Sequence, residues 1–404
     1  MKPEEGPTPD ADSMPCLFKA PRLSEAPRLC EAPRVSEADR LARVVLSRAV
    51  EPGDSTTSSL VRQLGPQSAV RHQLAPKDDS GLPDRLREVD PVRELEQAER
   101  CGIRFVVPGD AEWPPGLDDL DHVEDVQLLG GTPPGIWVKG PMPLTELETS
   151  IAVVGSRSSS IYGDEVARDI AGHVAGSGVP VVSGGAKGID YAAHDGALLA
   201  GGATVAVLAC GVDRVYPQQN RRLLNHLAAE FAVVSEQPPG SAPTRIRFLA
   251  RNRLIAAMTR GSVLVEAALR SGALNTVGWA EQLSRPVMCV PGPVASYTSQ
   301  GVHHWLRRGG AMLVTDGSEV LEAIGSSGQH LITEPRGEER PRDALSRADQ
   351  LVLEAVPVGS PATVDSIARG CGQHVRTAVT ALGRLERDGF VVEEAGGWRL
   401  AGAG

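Results

Sequence analysis

The sequence predicts an α/β protein built on a doubly wound parallel sheet, with a small helical domain before it and a winged helix after it. Three observations carry this. Residues 151–325 alternate apolar runs with stretches of helical periodicity. The runs are IAVVG (151–155), PVVSGG (180–185), ATVAVLAC (203–210), FAVVSE (231–236), SVLVEA (262–267), PVMCV (286–290) and AMLV (311–314). Strands this apolar are covered on both faces, and right-handed helical crossovers between them give a Rossmann-like sheet. From Ala38 onward, Leu41, Val44 and Val45 recur at helical spacing. Residues 342–404 read as three helices and two short strands around a Gly-Gly turn, a winged-helix order.

Residues 1–37 open the chain as a Pro-rich tail ending in three copies, APRLSE (20–25), APRLCE (26–31) and APRVSE (32–37). One Pro per copy blocks a continuous helix and one large apolar residue cannot build a core, so the tail is expected to be disordered. The helical domain spans 38–90, with Thr56/Thr57 as caps of its second helix, Gly65 as its stop and Pro66 opening a third. The sheet domain spans 91–325 and starts with a helix (91–101) and a strand, IRFVV (103–107). A linker covers 326–341. In the last domain, helices are predicted at 349–356, 363–369 and 373–388. Arg376, Thr380, Arg384 and Arg387 share one face of the third, opposite Val375, Val379, Leu382 and Leu385.

The whole chain carries 41 Lys+Arg against 51 Asp+Glu, a net of −10, which argues against a coat for nucleic acid or anionic membrane. The excess is local. Residues 1–150 hold 17 basic and 27 acidic side chains, whereas 151–325 hold 15 and 13, a net of +2. Aromatics are 3% of the chain, few for a protein that stacks successive bases. Six cysteines form no CxxC pair, so neither a disulfide framework nor a zinc site is expected. No apolar run approaches the ~20 residues of a membrane helix. The first residues lack the apolar core of a signal peptide. A cytoplasmic protein without membrane contact is expected.

Ligands of a doubly wound sheet bind beyond the carboxyl ends of its strands, so four loops matter. In GSRSSSIYG, Gly155 lets backbone approach a ligand, Ser156 offers a hydroxyl and Arg157 a guanidinium fork. The helix after it, starting near Asp164, offers N–H groups to an anion. A plain strand–helix turn is the alternative. SGGAKGID supplies Ser183, Gly184, Gly185 and Lys187, an anion cradle with a point charge. Asp190 and His194 lie on one helical face, as a structural pair or an acid/base dyad. From Gln237 to Val265 there is no acid but there are five arginines, 245, 247, 251, 253 and 260. Arg251-Asn252-Arg253 is expected to open a helix, where its charge opposes the macrodipole unless an anion is bound. A solvated face is the alternative. In VEAALRSGALNT, Arg270-Ser271-Gly272 opens a helix. Glu266 serves as a general base or holds Arg or backbone groups.

Together these loops imply a polyphosphate, a nucleotide or a nucleic-acid backbone. No Walker GxxxxGK[ST] is present. The run VVGSR, SGGAKGIDYAAH, AVLACGVDRVYP, SEQPPG, RNRLIA, VEAALRSGALNT and VPGP resembles the DNA-processing protein A (DprA/Smf) family. The resemblance is strong over about 103–325. Trp113-Pro114-Pro115-Gly116-Leu117 and Gly135–Gly140 resemble the family's lead-in to its core. The helical segment resembles its SAM-like domain and the end of the chain its winged helix. Two positions depart from the family pattern: Lys187 where Arg is frequent, and Leu249 where Pro is frequent.

The resemblance implies a non-enzymatic single-stranded DNA binder without cofactor or metal. It implies a homodimer through the Rossmann-like domain that protects incoming strands and loads the RecA recombinase in natural transformation. Arg157, Lys187, Arg251 and Arg253 would then contact phosphates, with Ser183 and Ser271 assisting. The competing reading is a phosphoribohydrolase of the lysine-decarboxylase-like type, whose PGGxGTxxE string is absent.

Overall fold

A computed structural model describes residues 35–74, 89–332 and 340–402 of the chain. They fall into two compact units, divided between Ile332 and Thr333, inside the stretch read as a linker. Most of the repeat tail (1–34) and residues 75–88 lie outside the described residues.

The first unit opens with α1 (Glu37–Ala49), α2 (Ser55–Leu64) and α3 (Pro66–Leu74). The last repeat copy runs into α1 and corrects the tail boundary. Val35 packs against the apolar cluster under the sheet edge, and the Ser36 side chain caps the helix by accepting from Asp39 N at 3.1 Å. In α2 the cap is Asp54, not Thr56/Thr57. It accepts from Thr56 N and from Thr57 Oγ1, which places the threonines in the first turn. Gly65 ends α2 at φ +78°, as its position predicted. Arg40 grips Asp110 with both arms, at 2.9 and 2.6 Å, and Arg48 grips Glu94 of α4 (Pro91–Arg100). These pairs fix the helices to the sheet domain.

The sheet contains β1 (Ile103–Val106), β2 (Ile136–Lys139), β3 (Ile151–Val154), β4 (Val181–Ser183), β5 (Thr204–Val207), β6 (Ala232–Ser235), β7 (Gly261–Leu264), β8 (Val287–Cys289) and β9 (Met312–Leu313). Its order is β1-β2-β6-β5-β4-β3-β7-β8-β9. Strands β3 to β9 run parallel, in the seven places where apolar runs predicted strands. The sheet is not wholly parallel, because β2 adds antiparallel to β6 and β1 antiparallel to β2. The four residues of β2 carried no strand prediction. Trp137, fully buried there, stacks on Phe105 of β1 at 4.4 Å between ring centroids.

Side chains alternate between the two faces. Ile151 and Val153 pack with α5 (Ile161–Gly176), α6 (Ile189–Leu199) and α11 (Gly317–Ile324). Ala152 and Val154 pack with α8 (Arg245–Ala257), α9 (Ala273–Gln282) and α10 (Gln300–Arg307). Helix α7 (Arg221–Glu230) covers β5 and β6. From β3 the chain winds outward to β6, then returns to β7 on the other side of β3. That reversal is the topological switch point, and it opens a crevice between the loops after β3 and β7.

The second unit holds α12 (Arg347–Ala355), α13 (Val364–Gly370) and α14 (Val375–Arg387), then an antiparallel ribbon of β10 (Val391–Glu394) and β11 (Gly397–Leu400). This is the element order predicted for a winged helix. The face assignment of α14 is corrected. Ala378, Ala381, Leu382 and Leu385 are buried, whereas Val375 and Val379 are 41% and 53% exposed. The two alanines let the helix pack closely, which rotates the valines outward. Arg384 is not a free basic residue, because it binds Asp349 at 2.6 Å and holds that carboxyl below its ordinary range.

Candidate nucleic-acid interface

The switch-point crevice is a cleft of about 1120 Å³. Gly155, Ser156 and Arg157 come to it from the loop after β3. Ser271 and Gly272 come from the loop after β7, and Arg251 and Asn252 from α8. Ser183, Gly184, Gly185, Lys187 and Arg253 do not line it.

Helix α5 starts at Ile161 rather than near Asp164, because Ser160 caps it by accepting from Gly163 N at 3.1 Å. Its N-terminus is already supplied with an anion. Glu266 accepts from Ser160 N (2.9 Å), Ser160 Oγ (2.7 Å) and Thr298 Oγ1 (2.8 Å). Of the two roles open to Glu266, these bonds are those of a residue that holds a loop. The carboxylate satisfies the helix dipole, so the loop turns Ser156 and Arg157 towards the cleft instead.

The second loop is held from beneath. Ser183 is fully buried and its hydroxyl donates to Val153 O at 2.6 Å, tying β4 to β3. Asn220 donates to the carbonyls of Gly185 and Ala186, both at 2.9 Å. Arg251 donates through Nη1 to Gly184 O (2.7 Å) and Val207 O (2.6 Å). A Cβ on residue 184 would stand 2.2 Å from that nitrogen, so any larger residue there would have to push the guanidinium aside. Gly188, at φ +74°, meets the Ser156 carbonyl in the same way. Lys187 is exposed on the loop.

Arg251 is 6% exposed, and burial lowers its pKa to about 10. Asp190 lies near it. Burial raises the Asp190 carboxyl more than the Arg251 charge lowers it. His194 does not pair with Asp190. Its Nδ1 is 2.7 Å from Thr204 Oγ1, whose own hydrogen goes to Val181 O. The ring therefore carries its proton on Nδ1, and burial followed by the nearby Arg251 charge lowers its pKa to about 3. Neither residue is placed for acid/base work.

Helix α8 begins six residues before the predicted start. Thr244 caps it, and Arg251-Asn252-Arg253 sit in its middle. The macrodipole argument applies to Arg245 instead, which is exposed at the cleft. The acid-free run finds acids through the fold. Arg247 binds Glu51 at 2.7 and 2.9 Å, and Arg253 binds Glu236 at 2.7 and 2.8 Å. Arg260 donates to Glu148 O. Asn252 accepts from Arg251 Nε at 3.1 Å and donates to Gly272 O and Asn275 Oδ1, so it aligns the start of α9 with the cleft.

Two site residues escaped the sequence reading. Phe248 lies under Arg157, 4.5 Å from its guanidinium carbon, and 5.7 Å from the ring of Tyr216. Both line the cleft. An aromatic inside the five-arginine run was the available signal for Phe248. The low aromatic count obscured it.

Loops at the carboxyl ends of β3 and β7, an arginine-bearing GSR turn and a buried RNR segment thus meet at one switch point. The profile of the family described as DNA recombination-mediator protein A matches residues 104–325. The chain belongs to the DNA recombination-mediator protein A family. It is 42% identical over 366 residues to a Mycobacterium tuberculosis protein named for DNA processing, DprA, covering 89% of this chain and 94% of that one. It is 36% identical over 304 residues to protein Smf of Escherichia coli, covering 72% and 76%. The solved structure of DNA processing protein A from Streptococcus pneumoniae superposes with a TM-score of 0.60 at 28% identity, over 72% of this chain and 99% of that one. The cleft residues belong to the stretch matched by the recombination-mediator profile. No helix among the described residues is long and apolar enough to cross a membrane.

Proposed function

We propose that this recombination mediator binds single-stranded DNA along the switch-point cleft. It protects the strand and delivers it to a RecA-type recombinase, without catalysis. The carrying observation is the cleft's composition. Arg157, Arg245 and Arg270 are exposed there without an ion pair among the described residues, beside the Phe248–Tyr216 ring pair. Exposed guanidiniums take phosphates, and Tyr216, 45% exposed beside Phe248, offers a base an apolar face. Arg251 supports the reading from below, as a buried positive charge that shapes the glycine loop. Ser183 and Arg253 are committed to internal partners, so the phosphate set proposed is Arg157, Lys187, Arg245 and Arg270. The backbone of Gly155 and Gly272 and the hydroxyls of Ser156 and Ser271 complete it.

A homodimer through the first unit fits the edge strand β9, where Met312 and Leu313 are 45% and 54% exposed. Sedimentation of the full chain, and of Leu313→Glu, tests it.

The DNA reading is tested by titrating a labelled oligonucleotide across a salt series. With these four phosphates neutralised, log K should fall against log salt with a slope of about −3 for a single strand. Single strand should be preferred over duplex. A flat salt response, or tighter binding to duplex, overturns it.

A further inference from the structure

A second cavity, of about 310 Å³, lies between α1 and α2 and the sheet, on the far side of α8 from the cleft's Phe248 and Arg251. Its apolar walls include Val50, Val61 and Pro133. We propose that it is a binding site for a small, unphosphorylated organic cation that carries several N–H donors and one carbonyl acceptor.

The first support is Gln237. It is 4% exposed and lines the cavity, yet its side-chain amide makes no hydrogen bond to another described residue. Its amide atoms are not sealed in the interior, so they leave a donor and an acceptor for an occupant of the cavity. The second is charge. Five carboxylates line the cavity against three guanidiniums, which disfavours phosphate and favours a cation. Most of these groups are paired inside the protein, but two carboxylates have an oxygen to spare. Asp118 accepts only from Trp113 Nε1, through Oδ1 at 2.9 Å. Asp121 accepts from Ser58 Oγ and Thr132 N, both through Oδ1. The Oδ2 of each has no partner among the described residues. Asp118 is exposed overall, and the partial desolvation of its carboxyl outweighs the Trp113 bond and pushes it up.

The third support specifies the acceptor. Arg43 donates through Nη1 to Pro134 O at 2.9 Å, but its Nε is buried without a partner. With carboxylates already crowding Arg43, a neutral carbonyl suits that donor better than another anion. A guanidinium or ammonium group joined to an amide satisfies Asp118, Asp121, Gln237 and Arg43 together, and the volume suits a molecule the size of one amino-acid amide.

The test is calorimetric titration of the full chain with L-argininamide, L-lysinamide and AMP. One of the two amides should bind with one-to-one stoichiometry, and AMP should not. Asp118→Asn and Gln237→Leu should each weaken binding at least tenfold. Val61→Trp, which fills the cavity, should abolish it. Circular dichroism and oligonucleotide binding confirm that each variant is folded. The proposal is overturned if neither amide binds, if AMP binds as tightly, or if folded Val61→Trp still binds.

Discussion

Arg253 and Glu236 form a two-armed ion pair at 2.7 and 2.8 Å, with side chains only 1% and 7% exposed. Removing one partner strands a charge in the interior. Arg253→Met should therefore lower unfolding free energy by about 3–5 kcal/mol. Pairing it with Glu236→Gln should recover part of that loss. Urea denaturation of the three variants measures both. Oligonucleotide affinity of the folded Arg253→Met protein should stay within about twofold of the parent, because the guanidinium is outside the cleft.

Ser183 and Arg157 were read from the sequence as members of one site, and the structure separates what they do. Arg157→Ala should reduce the salt slope of single-strand binding by about 0.7, the effect of one phosphate contact. Ser183→Ala should leave the slope unchanged and lower stability by about 1 kcal/mol, through loss of its bond to Val153 O. Salt titration and thermal unfolding of both variants give the comparison.

Gly184 lies against the guanidinium of Arg251. Gly184→Ala should displace that side chain and the loop above it, with a stability cost of about 1–3 kcal/mol. A weaker affinity for single-stranded DNA should accompany it. Full affinity together with full stability in this variant would show that the contact is dispensable.

His194 sets an acid limit on the fold. Its ring titrates at about 3 in the folded chain, against an ordinary value near 6.5. Between those values the unfolded chain binds a proton that the folded chain refuses. The stabilisation is complete above pH 6.5 and is lost as pH falls towards 3, by at most about 1.4 kcal/mol per pH unit. His194→Gln should flatten the difference in urea midpoint between pH 7 and pH 5.

The parallel strands were legible because each carries its own continuous apolar run, a local property. Strand β2 was not, because its four residues become a strand only by pairing with β6 in the wider sheet. The glycines of both phosphate-style loops were legible from their type and spacing. Their division of labour was not. Glu51 lies 196 residues from the Arg247 it neutralises, Glu236 stands just outside the acid-free run that holds its Arg253, and Glu266 reaches the start of a helix that begins over a hundred residues earlier. Charge counted along a chain says which residues need partners, and only the fold says which have them.

Ala250 to Ala257 are eight consecutive buried residues of α8, enclosed on all sides. A helix without an exposed face has no silent positions. In a saturation library selected for folding alone, this segment should reject almost every substitution. Intolerance at Arg251 or Asn252 therefore registers packing first. The positions that report DNA contact are those, such as Arg157 and Arg245, where a folding score and a binding score part company.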